Sequence, residues 1–278
     1  MASVDFQVAD HVGHIIINNP EKRNAVTSTM AKQLEAIYDE IDVNRHIRAA
    51  VISGAGGESF SAGGYVPDYV ETVVGAEGTG RRTVLPKPWR ISTPFIAAIE
   101  GYCVGGGFAL AVACDLRVAS DTVRIGASGL KRGLVNGAGC TTRLVRIVGL
   151  GNALESLLTS EYMHADKAYR IGLVQRVVPA GQAVAAALEL AAVIAQFSPE
   201  GVAATKRIAY DSIDLTWDEA LEWEERITEE GYRTPDALEG FSAFAEKRPA
   251  VFGRNEGGPE ALGLSAHWPT GDAPQWRS

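Results

Sequence analysis

The chain has 278 residues, 46% of them apolar, enough to bury a sizeable core in one large domain or in a domain with an appendage. Lys plus Arg number 26 against 34 Asp plus Glu, a net charge of −8 that argues against nucleic acid or an anionic membrane as a bulk electrostatic partner. The cysteines, Cys103, Cys114 and Cys140, form no C-x-x-C pair, so neither a disulfide framework nor a zinc site is indicated, and buried reduced thiols of a cytoplasmic protein are expected.

The opening MASVDFQVADHVG lacks a basic start followed by an apolar stretch, so no signal peptide is expected, and no apolar run approaches the length of a membrane span. Residues 12–17 are apolar and β-branched, a buried strand closed by Asn18-Asn19-Pro20 as a turn. Residues 27–41 place Met30, Leu34, Ile37 and Ile41 three and four apart, one face of an amphipathic helix. Residues 49–53 read as a second buried strand, running into Gly54-Ala55-Gly56-Gly57. That glycine cluster is not a dinucleotide fingerprint, because Ser59 stands where G-x-G-x-x-G needs its third glycine. The short-strand signature returns at 94–99, 115–119 and 174–178, with helical segments at 107–114, 139–148 and 180–196. Such alternation predicts an α/β fold.

Past Ser198 the signals are those of helix alone. Thr216-Trp217-Asp218-Glu219 is a capping box, in which hydroxyl and carboxylate satisfy each other's exposed backbone donors. Trp217, Ala220, Leu221 and Ile227 should share a face of the helix that follows. A further helix is announced by Thr234 as N-cap and Pro235 in the first turn, with Leu238, Phe241, Phe244 and Ala245 as its stripe and Pro249 as its end. The chain thus divides into a core to residue 197, a helical region over 198–252, and a Gly- and Pro-rich stretch over 253–278 that reads as an extended or disordered tail.

Two glycine-rich segments bear on chemistry, Ser61-Ala62-Gly63-Gly64 and Gly105-Gly106-Gly107, the second opening a helix of small residues. The first N–H groups of a helix have no internal partner and the macrodipole adds partial positive charge, so an anionic oxygen is favoured there. Two such donors from separate loops can converge on one oxygen, an oxyanion hole fit for the enolate of a thioester; the plainer reading of each cluster is a tight turn. No G-x-x-x-x-G-K-[ST] loop and no G-x-S-x-G elbow occurs, and His11, His14, His46, His164 and His267 show no ligand spacing, so no metal site is expected.

Residues 20–25 (PEKRNA), 60–64 (FSAGG), 97–107 (AAIEGYCVGGG) and Cys114-Asp115 resemble the enoyl-CoA hydratase/isomerase family of the crotonase superfamily in order and spacing. Gly137-Ala138-Gly139 with Arg143-Leu144, Gly172-Leu173-Val174 and residues 244–252 extend the likeness over about residues 10–253. The resemblance implies a crotonase-type spiral of ββα repeats followed by a C-terminal helical region that packs against neighbouring subunits, in homotrimers or dimers of trimers. It also implies an acyl-CoA ligand with coenzyme A as part of the substrate, no tightly bound cofactor, and oxyanion donors at the N–H groups of Gly64 and Gly106. Arg23 matches a basic position that contacts the coenzyme phosphates, and Ala62 a backbone contact to the adenine. Lys247 matches a residue that reaches a neighbour's ligand. A surface salt bridge is the alternative for Arg23 and Lys247.

The family's hydratases use two glutamates to position and deprotonate water; by the same alignment of motifs these fall on Ala109 and Gly129, neither of which can carry a proton. Loss of both should remove ordinary hydratase activity, since a positioned acid or base is worth typically about 10²–10⁴-fold. Three accounts stay open. In one, an enzyme (lyase, isomerase or hydrolase) draws its acid/base groups from Tyr65, Asp68, Glu71, Asn136 or Cys140. In the second, Ser128-Gly129-Leu130-Lys131-Arg132-Gly133 is similar to the naphthoyl-CoA synthase branch, where glycine replaces the glutamate and a bound bicarbonate supplies the base; Asn136 stands where that branch has an aspartate. In the third, the protein binds acyl-CoA without chemistry, as a regulatory protein. Residues 65–89, with Tyr65, Tyr69, Trp89, Arg81 and Arg82, are expected to line or cover the acyl pocket, where they suit an aromatic or polar acyl group.

Overall fold

The structure, a computed structural model, describes residues 2–68, 88 and 91–253. Strands β1 (Ser3–Ala9) and β2 (Val12–Asn18) form an antiparallel hairpin, turned at Asp10 and His11 in left-handed conformations. β1 lies outside the strand predicted from the sequence, because only Val4 is buried, its last three residues face solvent and it carries no continuous apolar run. From β2 the sheet continues in parallel through β3 (Ala49–Gly54), β5 (Phe95–Ile99), β7 (Leu116–Ser120) and β9 (Arg176–Val178), in the order β1-β2-β3-β5-β7-β9. A second parallel sheet is made of β4 (Ser59–Ser61), β6 (Tyr102–Val104) and β8 (Arg124–Gly126). Successive strands therefore alternate between the two sheets, one turn of the spiral after another. Three-residue strands carry no periodicity, so the second sheet was invisible to pattern reading.

β3 and β5 are buried on both faces, which is why they read as unbroken apolar runs. Helix α1 (Ser28–Val43) and helix α2 (Gly106–Ala113) pack into the main core. The opposite face of the large sheet is covered by α6 (Ala183–Ala195), whose Ala183, Ala187, Ala191 and Ala195 form a narrow ridge against Val51, Ile96, Ala98 and Val118. Between them run α3 (Cys140–Val148), α4 (Leu150–Thr159) and α5 (Ala165–Arg170), of which only α3 carried a sequence signal.

The helical region comprises α7 (Pro199–Asp211), α8 (Trp217–Gly231) and α9 (Pro235–Ala245). It is tied to the core by Asp115, whose Oδ2 accepts from the Phe95 N–H and from Lys206 Nζ, both at 2.7 Å, while Oδ1 accepts from the Tyr210 hydroxyl at 2.8 Å. The capping box forms as expected: Glu219 Oε2 accepts the Thr216 N–H at 2.8 Å, and Thr216 Oγ1 caps the Glu219 N–H. The two predicted apolar faces need correction. Trp217 is 77% exposed and Leu221 47%, whereas Trp223 and Ile227 are the residues α8 buries. On α9, Leu238, Phe241 and Phe244 are 69%, 63% and 87% exposed, and Asp236 and Ala243 face inward. Periodicity identifies an apolar stripe without saying what covers it. α9 ends at Ala245, short of Pro249.

All three cysteines are buried and free. Among the described residues no single helix is long and apolar enough to cross a membrane. The tail beyond Gly253 lies outside the described residues.

Candidate active site

The two glycine loops meet at one wall of a cavity of about 320 Å³. The first follows β4. Ser61 Oγ accepts the Gly63 N–H at 3.0 Å and donates to the Asn24 carbonyl at 2.8 Å, which sets the turn. Gly64 is bridged in parallel to Val26: the Val26 N–H donates to the Gly63 carbonyl and the Tyr65 N–H to the Val26 carbonyl. In such a bridge the neighbours of the central residue make the bonds, so the Gly64 N–H points away from Val26. No acceptor among the described residues takes it. Gly106 is the first residue of α2, and its N–H is one of the donors a helix start leaves unspent.

Closeness of the loops demands glycine. Gly63 has φ +95°, and a Cβ there would lie 2.5 Å from the Gly106 nitrogen; a Cβ on Gly106 would lie 3.2 Å from the Gly64 nitrogen. Both unspent amides thus flank the same few ångströms of the cavity wall, where Gly64, Gly105 and Gly106 are exposed to it.

Ala109, from the second turn of α2, and Gly129, after β8, also line the cavity. Gly129 is closely covered: its N–H donates to Asn136 Oδ1 at 3.0 Å, and a Cβ there would lie 2.5 Å from that oxygen. Asn136 Nδ2 donates in turn to the Leu157 carbonyl at 3.1 Å. Asn136 lines the cavity, and each end of its amide helps to hold the loop, Oδ1 on the Gly129 N–H and Nδ2 on the Leu157 carbonyl. Asp68 lines the cavity, but its Oδ2 accepts the Ser28 N–H at 2.7 Å and the Ser28 hydroxyl at 3.0 Å, a carboxylate set on the N-terminus of α1. Tyr65 and Cys140 line the cavity as well. Glu71, Tyr69, Arg81, Arg82 and Trp89 lie outside the described residues.

Of the residues expected to hold the coenzyme, Ala62 lines the cavity and its N–H donates to the Arg23 carbonyl at 2.9 Å. The Arg23 guanidinium stacks over the Tyr102 ring, 4.8 Å from its centroid, and Arg124 stacks on the same ring at 5.1 Å while donating to its hydroxyl. Tyr102 and Arg124 were not singled out from the sequence; residues 22 apart on neighbouring strands carry no local signal. Lys247 is exposed, in a left-handed conformation after α9, and does not line the cavity. Among the described residues no group of three or more His, Cys, Asp or Glu could hold a metal ion.

The enoyl-CoA hydratase/isomerase family model matches residues 7–255. The short-chain-enoyl-CoA hydratase of Clostridium acetobutylicum is 33% identical over 240 residues, covering 85% of this chain and 92% of that protein. The (E)-benzylidenesuccinyl-CoA hydratase of Thauera aromatica is 34% identical over 254 residues, 90% of this chain and 98% of that one. Among solved structures, an enoyl-CoA hydratase from Mycobacterium tuberculosis superposes with a TM-score of 0.83 at 33% identity, covering 91% of this chain and 99% of its own. The spiral of paired sheets, the glycine-built cavity and these likenesses agree: the chain belongs to the enoyl-CoA hydratase/isomerase family of the crotonase superfamily.

Proposed function

We propose that this protein binds an acyl-coenzyme A thioester with its carbonyl oxygen between the N–H groups of Gly64 and Gly106, and stabilises the enolate formed there. The observation that carries the proposal is the meeting of two unspent amides at one cavity wall. Enolate formation concentrates charge on the oxygen, so fixed donors bind the developing anion better than the ground state, and the loss of one costs about 10²–10³-fold in rate. Arg23 and Arg124 on Tyr102 supply positive charge for the coenzyme phosphates beside Ala62.

Acid/base chemistry departs from the two-glutamate hydratase. Asp68 is the one carboxylate among the described cavity residues, and with the Ser28 hydroxyl it is the proton acceptor this reading favours. A bound bicarbonate is the alternative source of the base; equal rates in bicarbonate-free buffer exclude it. The test of the whole reading is exchange of the thioester α-protons in deuterated water, followed by mass spectrometry. Gly106→Ala, whose Cβ wedges against Gly63 and Gly64, is expected to lower exchange by about 10²–10³-fold. Unchanged exchange sinks the oxyanion assignment.

A second reading, an acyl-CoA-binding regulatory protein, is favoured by the commitment of Asn136 and by Ala109 and Gly129. Saturable thioester binding with neither exchange nor product supports it. A homotrimer or dimer of trimers completes the proposal, with the exposed Trp217, Phe241 and Phe244 covered by neighbouring copies and Lys247 near a neighbour's ligand. Phe244→Asp should then lower the mass measured by light scattering.

A further inference from the structure

The cavity is lined by one arginine, Arg132, exposed at its edge. Among the described residues no carboxylate pairs with its guanidinium. One nitrogen, Nη1, is anchored to Ser128, donating to its carbonyl at 3.3 Å and meeting its Oγ at 3.2 Å. Among the described residues the other guanidinium donors are unspent. Ser128 is itself placed against the second glycine loop, since a Cβ on Gly105 would lie 3.1 Å from Ser128 Oγ. The guanidinium is thereby held beside the loop that presents the Gly106 amide. The surrounding wall is largely apolar (Val26, Ala31, Ala109, Leu134), and Asp68 is occupied by Ser28. Arg132 is exposed and lines the cavity, so its remaining guanidinium donors are open to an anionic group that enters there.

That anion has two possible sources, the coenzyme phosphates or the acyl group, and the neighbouring residue separates them. Lys131 reaches the Tyr162 ring at 5.4 Å from its centroid, and Tyr162 packs edge-on against Tyr102, which carries Arg23 and Arg124. Leu130–Arg132 is a 3-10 turn, in which successive side chains diverge by a third of a circle. Lys131 therefore joins the basic-aromatic patch, while Arg132 turns to the cavity. The phosphates have their own cations; Arg132 is left for the acyl end.

We infer that Arg132 selects thioesters whose acyl group carries a carboxylate. The inference rests on the thioester reading above and adds the substrate class. Planar, forked donors suit a carboxylate, and a charge pair at the mouth of a largely apolar cavity gives a preference of about tenfold or more.

The experiment measures dissociation constants for matched acyl-CoA pairs of equal chain length: malonyl with propionyl, succinyl with butyryl, glutaryl with pentanoyl, and free coenzyme A as reference. The expected result is a preference of about tenfold for the carboxylate member at one length. Arg132→Gln should bring that ratio close to one, and Arg132→Lys should retain part of it. No preference at any length in the unaltered protein overturns the inference, as does a ratio that survives Arg132→Gln. A variant that weakens free coenzyme A as much as every thioester overturns it in favour of a phosphate contact. If no thioester binds better than free coenzyme A, the acyl-site reading falls as well, an outcome distinct from the first three.

Discussion

Gly129 and Asn136 form a pair whose coupling can be measured. A Cβ on residue 129 would lie 2.5 Å from Asn136 Oδ1, and Asn136 cannot swing aside freely because it accepts the Gly129 N–H at 3.0 Å and donates to the Leu157 carbonyl at 3.1 Å. An ordinary contact needs roughly another ångström, enough to break the first of those bonds. Gly129→Ala should therefore cost about 1–3 kcal/mol through overpacking, with no contribution from backbone strain, since residue 129 is in the right-handed helical region. Asn136→Ala should cost a similar ~1–3 kcal/mol, by leaving a backbone N–H and a carbonyl without their partner. In the double variant the collision with Asn136 is gone and only the milder 3.1 Å approach to the Leu134 carbonyl remains, so its cost should lie a little above that of Asn136→Ala alone, leaving a coupling of about 1–2 kcal/mol. Urea unfolding of the four proteins at one fixed protein concentration measures this cycle. Additivity within about 0.5 kcal/mol would refute the reasoning. The consequence for chemistry is that Gly129→Glu alone places its carboxylate badly, whereas Gly129→Glu with Asn136→Ala admits it.

Arg23→Gln should weaken free coenzyme A severalfold at low salt and by less at high salt, with little effect on acyl-pantetheine; titration calorimetry at two ionic strengths reads both. Burial pushes the Cys114 thiol up to about 12, against the opposing influence of the nearby Arg117, and burial also raises Cys103 well above its ordinary value. Labelling of both by a thiol reagent at pH 8 should be slower than for a free thiol by roughly a thousandfold until the protein unfolds; rapid labelling of the folded protein contradicts their placement. Burial, and then the Asp236 charge, raise the Glu200 carboxyl above its ordinary value, with Arg45 acting in the opposite direction. A raised carboxyl favours the folded state below the unfolded-state value, and that advantage is lost as pH rises through the folded one. Glu200→Gln should thus raise the melting temperature relative to the unaltered protein near pH 7.5 more than near pH 4; an equal change at both values contradicts this.

Much of the fold was legible in the chain because its elements are dictated locally. The strand at 12–17, the helix over 27–41 and the Thr216 and Thr234 caps lie where apolar period and capping chemistry put them, to within a few residues. The motifs that surround Gly64 and Gly106 likewise pointed to the family that the comparisons show. The sequence by itself determined the α/β alternation, the capped starts of these helices and the glycines that let the two loops approach, since each follows from the conformational freedom or hydrogen-bonding of a few adjacent residues.

Tertiary structure alone decided the rest. Whether Leu238, Phe241 and Phe244 face inward or outward depends on what packs against α9, and they face outward. That Asp68 meets Ser28 across 40 residues, and that Asn136 fills the space beside Gly129, are properties of side chains brought together by strands that alternate between two sheets. The same spiral sends Lys131 to one place and Arg132 to another, although they are adjacent in the chain. Residue type sets what a group can do; only the packing of distant segments sets which partner it meets, because contact energies act over a few ångströms and the sequence holds no record of distance.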